Sequence, residues 1–353
     1  MFKPNVFRTV LGLLALVLAF GLALPSAALA GDQYPARGRI VVANRGSGTI
    51  SVIDARAGTL IGNYPLPAGD NVPEPMYVVH FPGKNRLLVG DRANDRVVAF
   101  NASTLAVEGT VSTGAGVFHM WADSQAGQLW VVADVDKTLS VINPRTLENI
   151  TSVPIPADLA ALGGKPHDVI LDPQRPLAFV TVLGVAGPHD YVVQYSTDTF
   201  VETGRAAVGQ DPHLSLARQN DKLYVPAQNS DTVTVLHRES LAELATIVVP
   251  GAHGAGMRRD GKVLYTTNLP GGGSGGLIGI DTATDTVITP TTDTSYPIPH
   301  NLAQTSNGRT IYETQSGPSD KVTFYTTRAN DPRPVLTGEV TVGLNPFGIT
   351  YLP

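Results

Sequence analysis

Five of the eight histidines in this chain stand in look-alike settings: His119 in VFHMW, His167 in KPHDV, His213 in DPHLS, His253 in GAHGA and His300 in IPHNL. Each opens a short run after a Pro- or Gly-containing approach, and the matching place in two further copies holds Met76 and Phe347. Neutral imidazole is the commonest protein ligand of transition metals, and several at one centre make an all-nitrogen site suited to copper, zinc or nickel. The chain has no cysteine, so thiolate ligands, thiolate catalysis and disulfides are excluded. A repeat also copies structural residues, so the plainer reading is a histidine that hydrogen-bonds the neighbouring connector in every copy. The scarcity of histidine elsewhere sets coincidence aside. The two readings differ in whether the five rings meet.

The unit that carries them is clearest at 211–237, DPHLSLARQNDKLYVPAQNSDTVTVLH. A Pro-His entry leads into a short apolar strand, a polar turn, the strand LYVPA, a second polar turn and TVTVLH, which alternates with period two. Measured between Met76, His119, His167, His213, His253, His300 and Phe347, the unit recurs after 43, 48, 46, 40, 47 and 47 residues. That is the length of a four-stranded propeller blade. Abundant Gly, Pro, Val and Thr, with no long 3.6-residue pattern, agree with an all-β chain. The ends complement each other: RIVVAN at Arg39 is a second-type strand, whereas the last copy, NPFGITYLP, supplies only a first strand. The expectation is an all-β, seven-bladed β-propeller over 39–353, a single domain with one blade completed by both termini. Counting blades from Met76, the composite blade is the seventh. The innermost strand of each blade lines the central channel with its first residue at one mouth, so the five histidines are expected to converge there.

The strings LYVPAQNSDTVTVLH, VLYTTN and RIVVANRGSGTISVID resemble the YVTN repeat of seven-bladed propellers, and the likeness covers nearly all of 39–353. It implies the architecture and leaves activity open among lactonases, lyases, copper enzymes and binding scaffolds. One histidine per blade entry also resembles the copper site in the propeller domain of nitrous oxide reductases. That likeness ends at the ring. The paired-histidine motif and a cysteine-bearing second copper domain are missing, so that reaction is not carried over.

Around the mouth, second strands end in Asn44, Asp91, Asp134, Gln228, Asn268 and Gln315, placed to accept the outer N–H of ligand imidazoles. Arg45 and Arg92, one residue beyond two of these ends, suit an anionic small-molecule substrate. Met76 is a thioether candidate if the ion is copper, and His189, in the long blade-three hairpin LGVAGPHDYVV, is a candidate sixth imidazole. Asp168 directly follows His167, which in a regular strand turns it away from the channel. Trp121 shares the parity of His119 and either walls the channel or packs in the core. His80 is assigned to packing, His237 to the surface, and Glu313 in TIYET is the nominee for a general base.

Residues 1–30 have the build of a signal peptide: Lys3 and Arg8, an apolar stretch from Val10 to Leu24, and Ala28-Leu29-Ala30 as cleavage site. The apolar run is short for a span, so no membrane insertion is expected after cleavage. Residues 31–38 form a leader, and the mature chain is expected to be periplasmic or secreted. Without Lys3 and Arg8 it carries 23 basic against 30 acidic residues, a balance that excludes nucleic acid as its main partner. The expected function is an exported metalloprotein whose histidine ring binds a transition metal, copper first, as an oxidoreductase or copper carrier. The alternatives are a non-catalytic scaffold for a protein or cell-envelope partner, and a metal-assisted lyase or lactonase.

Overall fold

Of seven four-stranded antiparallel sheets, six are meanders in which sequence neighbours pair. This computed structural model describes residues 38–353 except 270, 274 and 329; the signal peptide read at 1–30 and the leader up to Arg37 lie outside the described residues. The architecture is the seven-bladed propeller that the repeat spacing predicts. Blade seven joins the two ends. Arg39–Asn44 pairs with Pro346–Leu352, Arg39 opposite Leu352 and Val42 opposite Ile349. Among the described residues one short α-helix, Ala157–Ala161, stands in the approach to blade three.

Burial follows position within the blade. Second strands are near-continuous apolar runs because neighbouring blades cover both of their faces: Arg39–Asn44 is buried from Ile40 onward. Fourth strands lie at the outer rim, and Thr59–Pro65 is exposed or half-exposed throughout. The core therefore sits in wedges between blades. Trp130, Val132, Leu139 and Val141 of blade two meet Val169, Leu171, Ala178 and Val180 of blade three. Val41, Ile50 and Val52 of blade seven meet Val78, Leu87 and Val89 of blade one.

A backbone irregularity decides what reaches the channel. In six blades the inner strand carries one residue more than its partner near the mouth, as between Pro166 and Val169 or between Pro299 and Leu302. Such a bulge breaks strict alternation and lets two successive side chains turn to the same side. Blade four places His213 and Leu214 without a bulge, between a Pro212–Ala227 bridge and the Ser215–Tyr224 pair.

The register also corrects the alignment of the entries. Met76, Phe118, His167, His213, His253, His300 and Phe347 are equivalent, each directly following the paired residue before the bulge or, in blade four, the Pro212–Ala227 bridge. His119 belongs to the next tier, with Tyr77, Asp168, Leu214, Gly254, Asn301 and Gly348. Repeat spacing varies by several residues from blade to blade, so it cannot separate 118 from 119. Crowding at this tier demands the two glycines. A Cβ on Gly254 would collide with the His300 carbonyl oxygen, and one on Gly348 would lie 2.5 Å from Tyr77 Cα.

Candidate metal centre

Six aromatic rings form a circuit at the mouth: Phe118, His167, His213, His253, His300 and Phe347. Successive centroids are 5.0, 4.7, 3.9, 4.8 and 4.0 Å apart, and 5.9 Å separates Phe347 from Phe118 to close it. His119, from the next tier, brings its ring to 5.1 Å from His167 and 5.4 Å from His213. All five histidines therefore converge. Met76 does not: it is fully buried in the wedge with Val117 and Met120, so its thioether is packing.

The tightest group is His119, His167 and His213, whose ligand atoms lie within 4.8 Å of one another. His167 Nε2 and His213 Nε2 are 3.4 Å apart. Two nitrogens bound tetrahedrally at ~2.0–2.1 Å from a zinc ion stand ~3.3–3.4 Å apart, so this spacing fits one ion between them. Asp168 backs two of the three rings, with Oδ1 2.9 Å from His119 Nδ1 and Oδ2 3.9 Å from His213 Nδ1. An ionised carboxylate only accepts, so His119 carries its hydrogen on Nδ1 and keeps a lone pair on Nε2. The Tyr77 hydroxyl meets that Nε2 at 2.6 Å, and Asn301 Nδ2 donates to Tyr77 at 3.3 Å. Backbone N–H groups of Val169 (2.7 Å) and Leu214 (2.9 Å) anchor Asp168 in turn. The expectation that Asp168 faces away is thus overturned by the bulge. A carboxylate behind an imidazole fixes its tautomer and raises its basicity as a ligand.

Burial favours the neutral form of His167, His213, His253 and His300. It holds His167 well below the usual imidazole range, with the His213 and His119 rings adding to the effect. His213 is brought down to about 3, chiefly by burial and then by His119. Burial is also the first cause of the strong downward shifts at His253 and His300. Burial pushes the Asp168 carboxyl up, but His119 and His213 outweigh it and leave it below its ordinary value. The neutral imidazole is the form that metal binding requires.

Other expected partners fall elsewhere. Asn44, Asp91, Asp134 and Gln315 direct their side chains to Ser51, Arg96, Arg92 and Glu313. No side-chain bond joins Gln228 or Asn268 to a ring histidine among the described residues. The orienting groups are instead Asp168 and Ser316, the latter 2.9 Å from His300 Nδ1, whereas Asp211 lies 3.7 Å from His167 Nε2, on the side that faces His213. Glu313 is not at the ring. It is sealed in the wedge between blades five and six, bonded by Tyr325, Thr323 and Gln315, and burial pushes its carboxyl up to about 7. The ring's partly exposed carboxylate is Asp211, raised by burial and by neighbouring Asp190. Its position two residues before His213 was the available signal.

The peripheral residues sort as follows. Arg45 and Arg92 stand at the mouth, each guanidinium carbon 5.6 Å from the centroid of Phe347 or Phe118, and each pairs with a carboxylate, Glu74 or Asp134. His189 is exposed in its hairpin and outside the group. Trp121 packs against the wedges of blades two to four. His80 is half-buried, and His237 is half-buried with Nδ1 bonded to Ser240.

The sequence model of a family described as "Lactonase, 7-bladed beta-propeller" matches residues 32–254, more than half of the chain. Among solved structures, a periplasmic gluconolactonase of Pseudomonas aeruginosa is similar over 90% of this chain and 99% of its own, at 17% identity and a TM-score of 0.69. A protein from Lactobacillus plantarum is similar over 90% and 100%, at 18% identity and a TM-score of 0.72. Hydrazine synthase of Kuenenia stuttgartiensis is similar over 79% and 90%, at 15% identity and a TM-score of 0.65. At such identities these likenesses are ones of fold. No curated protein matches the sequence.

Proposed function

The chain belongs to the lactonase family of seven-bladed β-propellers, and from that premise we propose that it hydrolyses a lactone at the histidine-lined mouth with a bound transition-metal ion. The observation that carries the metal is the 3.4 Å spacing of His167 Nε2 and His213 Nε2 with Asp168 backing His213 and His119. His119, His167 and His213 would hold the ion. Three neutral imidazoles suit zinc and copper alike, and ester hydrolysis needs only a Lewis acid, so zinc serves this reading. Such an ion polarises a carbonyl and lowers the pKa of a bound water.

The chain's own residues supply the rest. Asp168 would hold His119 with its hydrogen on Nδ1, leaving on Nε2 a lone pair that the Tyr77 hydroxyl, 2.6 Å away, would yield to the ion. Asp211, partly exposed and beside His167, is placed to take a proton from an attacking water. Water adds to the lactone carbonyl, the ring C–O bond breaks, and the ring oxygen leaves with a proton as the hydroxyl of the product acid. Phe118 and Phe347 offer apolar faces to the substrate, while Arg45 and Arg92 favour one bearing a carboxylate or phosphate. The signal peptide read at 1–30 extends the proposal to an exported enzyme.

The test is hydrolysis of sugar-acid lactones, followed by acid release, with zinc-loaded and chelator-stripped protein. Zinc-dependent turnover that falls at least 100-fold in both His167→Ala and His213→Ala is expected. Turnover equal in loaded and stripped protein, or equal to the uncatalysed rate, refutes the proposal.

A further inference from the structure

His253 is the anomaly of the ring. It is 6% exposed, and neither of its nitrogens has a hydrogen-bond partner. Buried polar atoms in folded proteins are nearly always satisfied, so two orphan nitrogens on one imidazole imply a partner not supplied by the protein. The tight group of His119, His167 and His213 does not include this residue. It lies one blade further round, facing His300.

His300 is oriented as a ligand is. Ser316 Oγ donates its hydrogen to the Pro346 carbonyl at 2.6 Å, so at 2.9 Å it accepts from His300 Nδ1. Asn301 Nδ2, also 3.1 Å from Nδ1, has the Phe347 carbonyl and the Tyr77 hydroxyl to take its two hydrogens, so the hydrogen of the neutral ring sits on Nδ1, and among the described residues no donor is bound to Nε2. The rings of His253 and His300 are nearly parallel, 24° apart in plane, with centroids 4.8 Å apart. Two such rings can direct one nitrogen each to a common ion. A neutral, sulfur-free pair of this kind suits a divalent first-row ion such as zinc or copper, with water or substrate oxygen completing its shell.

We infer that His253 and His300 hold a second transition-metal ion beside the one held by His119, His167 and His213, making the mouth a two-ion centre. This rests on the proposed metal reading of the ring. With two protein ligands against three, the second ion is the weaker bound. Two ions at one mouth would let one site engage the carbonyl oxygen and the other the departing ring oxygen.

The experiment is a zinc titration of the chelator-stripped protein by calorimetry, with elemental analysis of the bound ion at saturation. Phe118 and Phe347 occupy the equivalent position in blades two and seven, so phenylalanine is the replacement the fold already accepts there. The parent is expected to bind two ions per chain, and His253→Phe and His300→Phe one each, with the tighter phase kept. His167→Phe should lose the tighter phase and keep the weaker. If either His253→Phe or His300→Phe fails to fold, the other supplies the reading. A parent that saturates at one ion overturns the inference and leaves the first site standing. One ion whose affinity falls in His253→Phe also overturns it, by making His253 a fourth ligand of the first ion. A parent that binds no zinc removes the metal reading itself.

Discussion

Replacing Asp168 by Asn isolates the contribution of the carboxylate from that of the imidazoles. The side-chain shape is kept, but one of the two oxygens becomes an NH2 group. Oδ1 serves His119 Nδ1 and the Val169 N–H, and Oδ2 serves the Leu214 N–H and faces His213 Nδ1 at 3.9 Å. Whichever oxygen is lost, a donor then faces a buried donor. The stripped protein should therefore lose about 1–3 kcal/mol of stability, the cost of a buried group left unsatisfied. Metal affinity should fall more selectively. Loss of the group that orients a ligand imidazole typically costs ~10–100-fold, which is about 1.4–2.7 kcal/mol. Competition against a chromogenic chelator measures this directly. Glu313→Gln is the matched control, because Glu313 is equally buried and bonded only within its own wedge. Its zinc affinity should equal the parent's. If Asp168→Asn binds zinc within threefold of the parent, or if Glu313→Gln loses as much, the carboxylate is not orienting a metal ligand.

Three further outcomes follow from other parts of the molecule. Removing 345–353 takes away the inner strand of blade seven; the buried Phe347 and Leu352 alone are worth about 3–6 kcal/mol, so the melting temperature should fall by roughly 10 °C or cooperative unfolding should vanish. A melting temperature within a degree of the parent's would show that the ends do not close the ring. Glu313 has a folded pKa of about 7 against an ordinary 4.5, so the folded chain holds the extra proton between those values. Its contribution is present below about pH 4.5 and lost as pH rises through 7; denaturant titrations should show Glu313→Gln gaining on the parent across that window, by on the order of 3 kcal/mol. A constant difference across the window would mean the carboxyl titrates normally. Arg92→Ala should raise KM for a carboxylate-bearing lactone about tenfold while leaving a neutral lactone unaffected, and equal effects on both would deny the guanidinium a role in recognising charge.

The sequence made the architecture legible because each blade repeats the same demand. A second strand covered on both faces must be apolar throughout, as in RIVVAN and LWVVA, and turn residues must separate it from its neighbours. Seven such demands at near-constant spacing admit few folds, and half a blade at each end admits one closure. The convergence of five histidines was legible for the same reason, since equivalent places in a ring of blades share an axis. What the string could not disclose was register. Alternation assigns His167 inward and Asp168 outward, and the bulge between Pro166 and Val169 cancels that assignment.

The same bulge hid Phe118, because it let His119 pass for the entry residue of blade two, and it hid Tyr77 behind Met76. It also explains why the site has two tiers. Without the bulge, each inner strand would offer the channel one side chain near the mouth, and a metal would meet imidazoles with nothing behind them. With it, a strand can offer a ligand and the group that orients a neighbour's ligand, as blade three does with His167 and Asp168. Blade six offers His300 and, beside it, Asn301, which donates to the Tyr77 hydroxyl and the Phe347 carbonyl. The second tier differs in character from blade to blade. Tyr77, His119, Asp168 and Asn301 are polar and interlinked in blades one, two, three and six, whereas Gly254 and Gly348 only make room for them. The proposed lactone chemistry cannot be read from the repeat itself because the repeat is set by packing, and it would enter through the residues in which the blades differ.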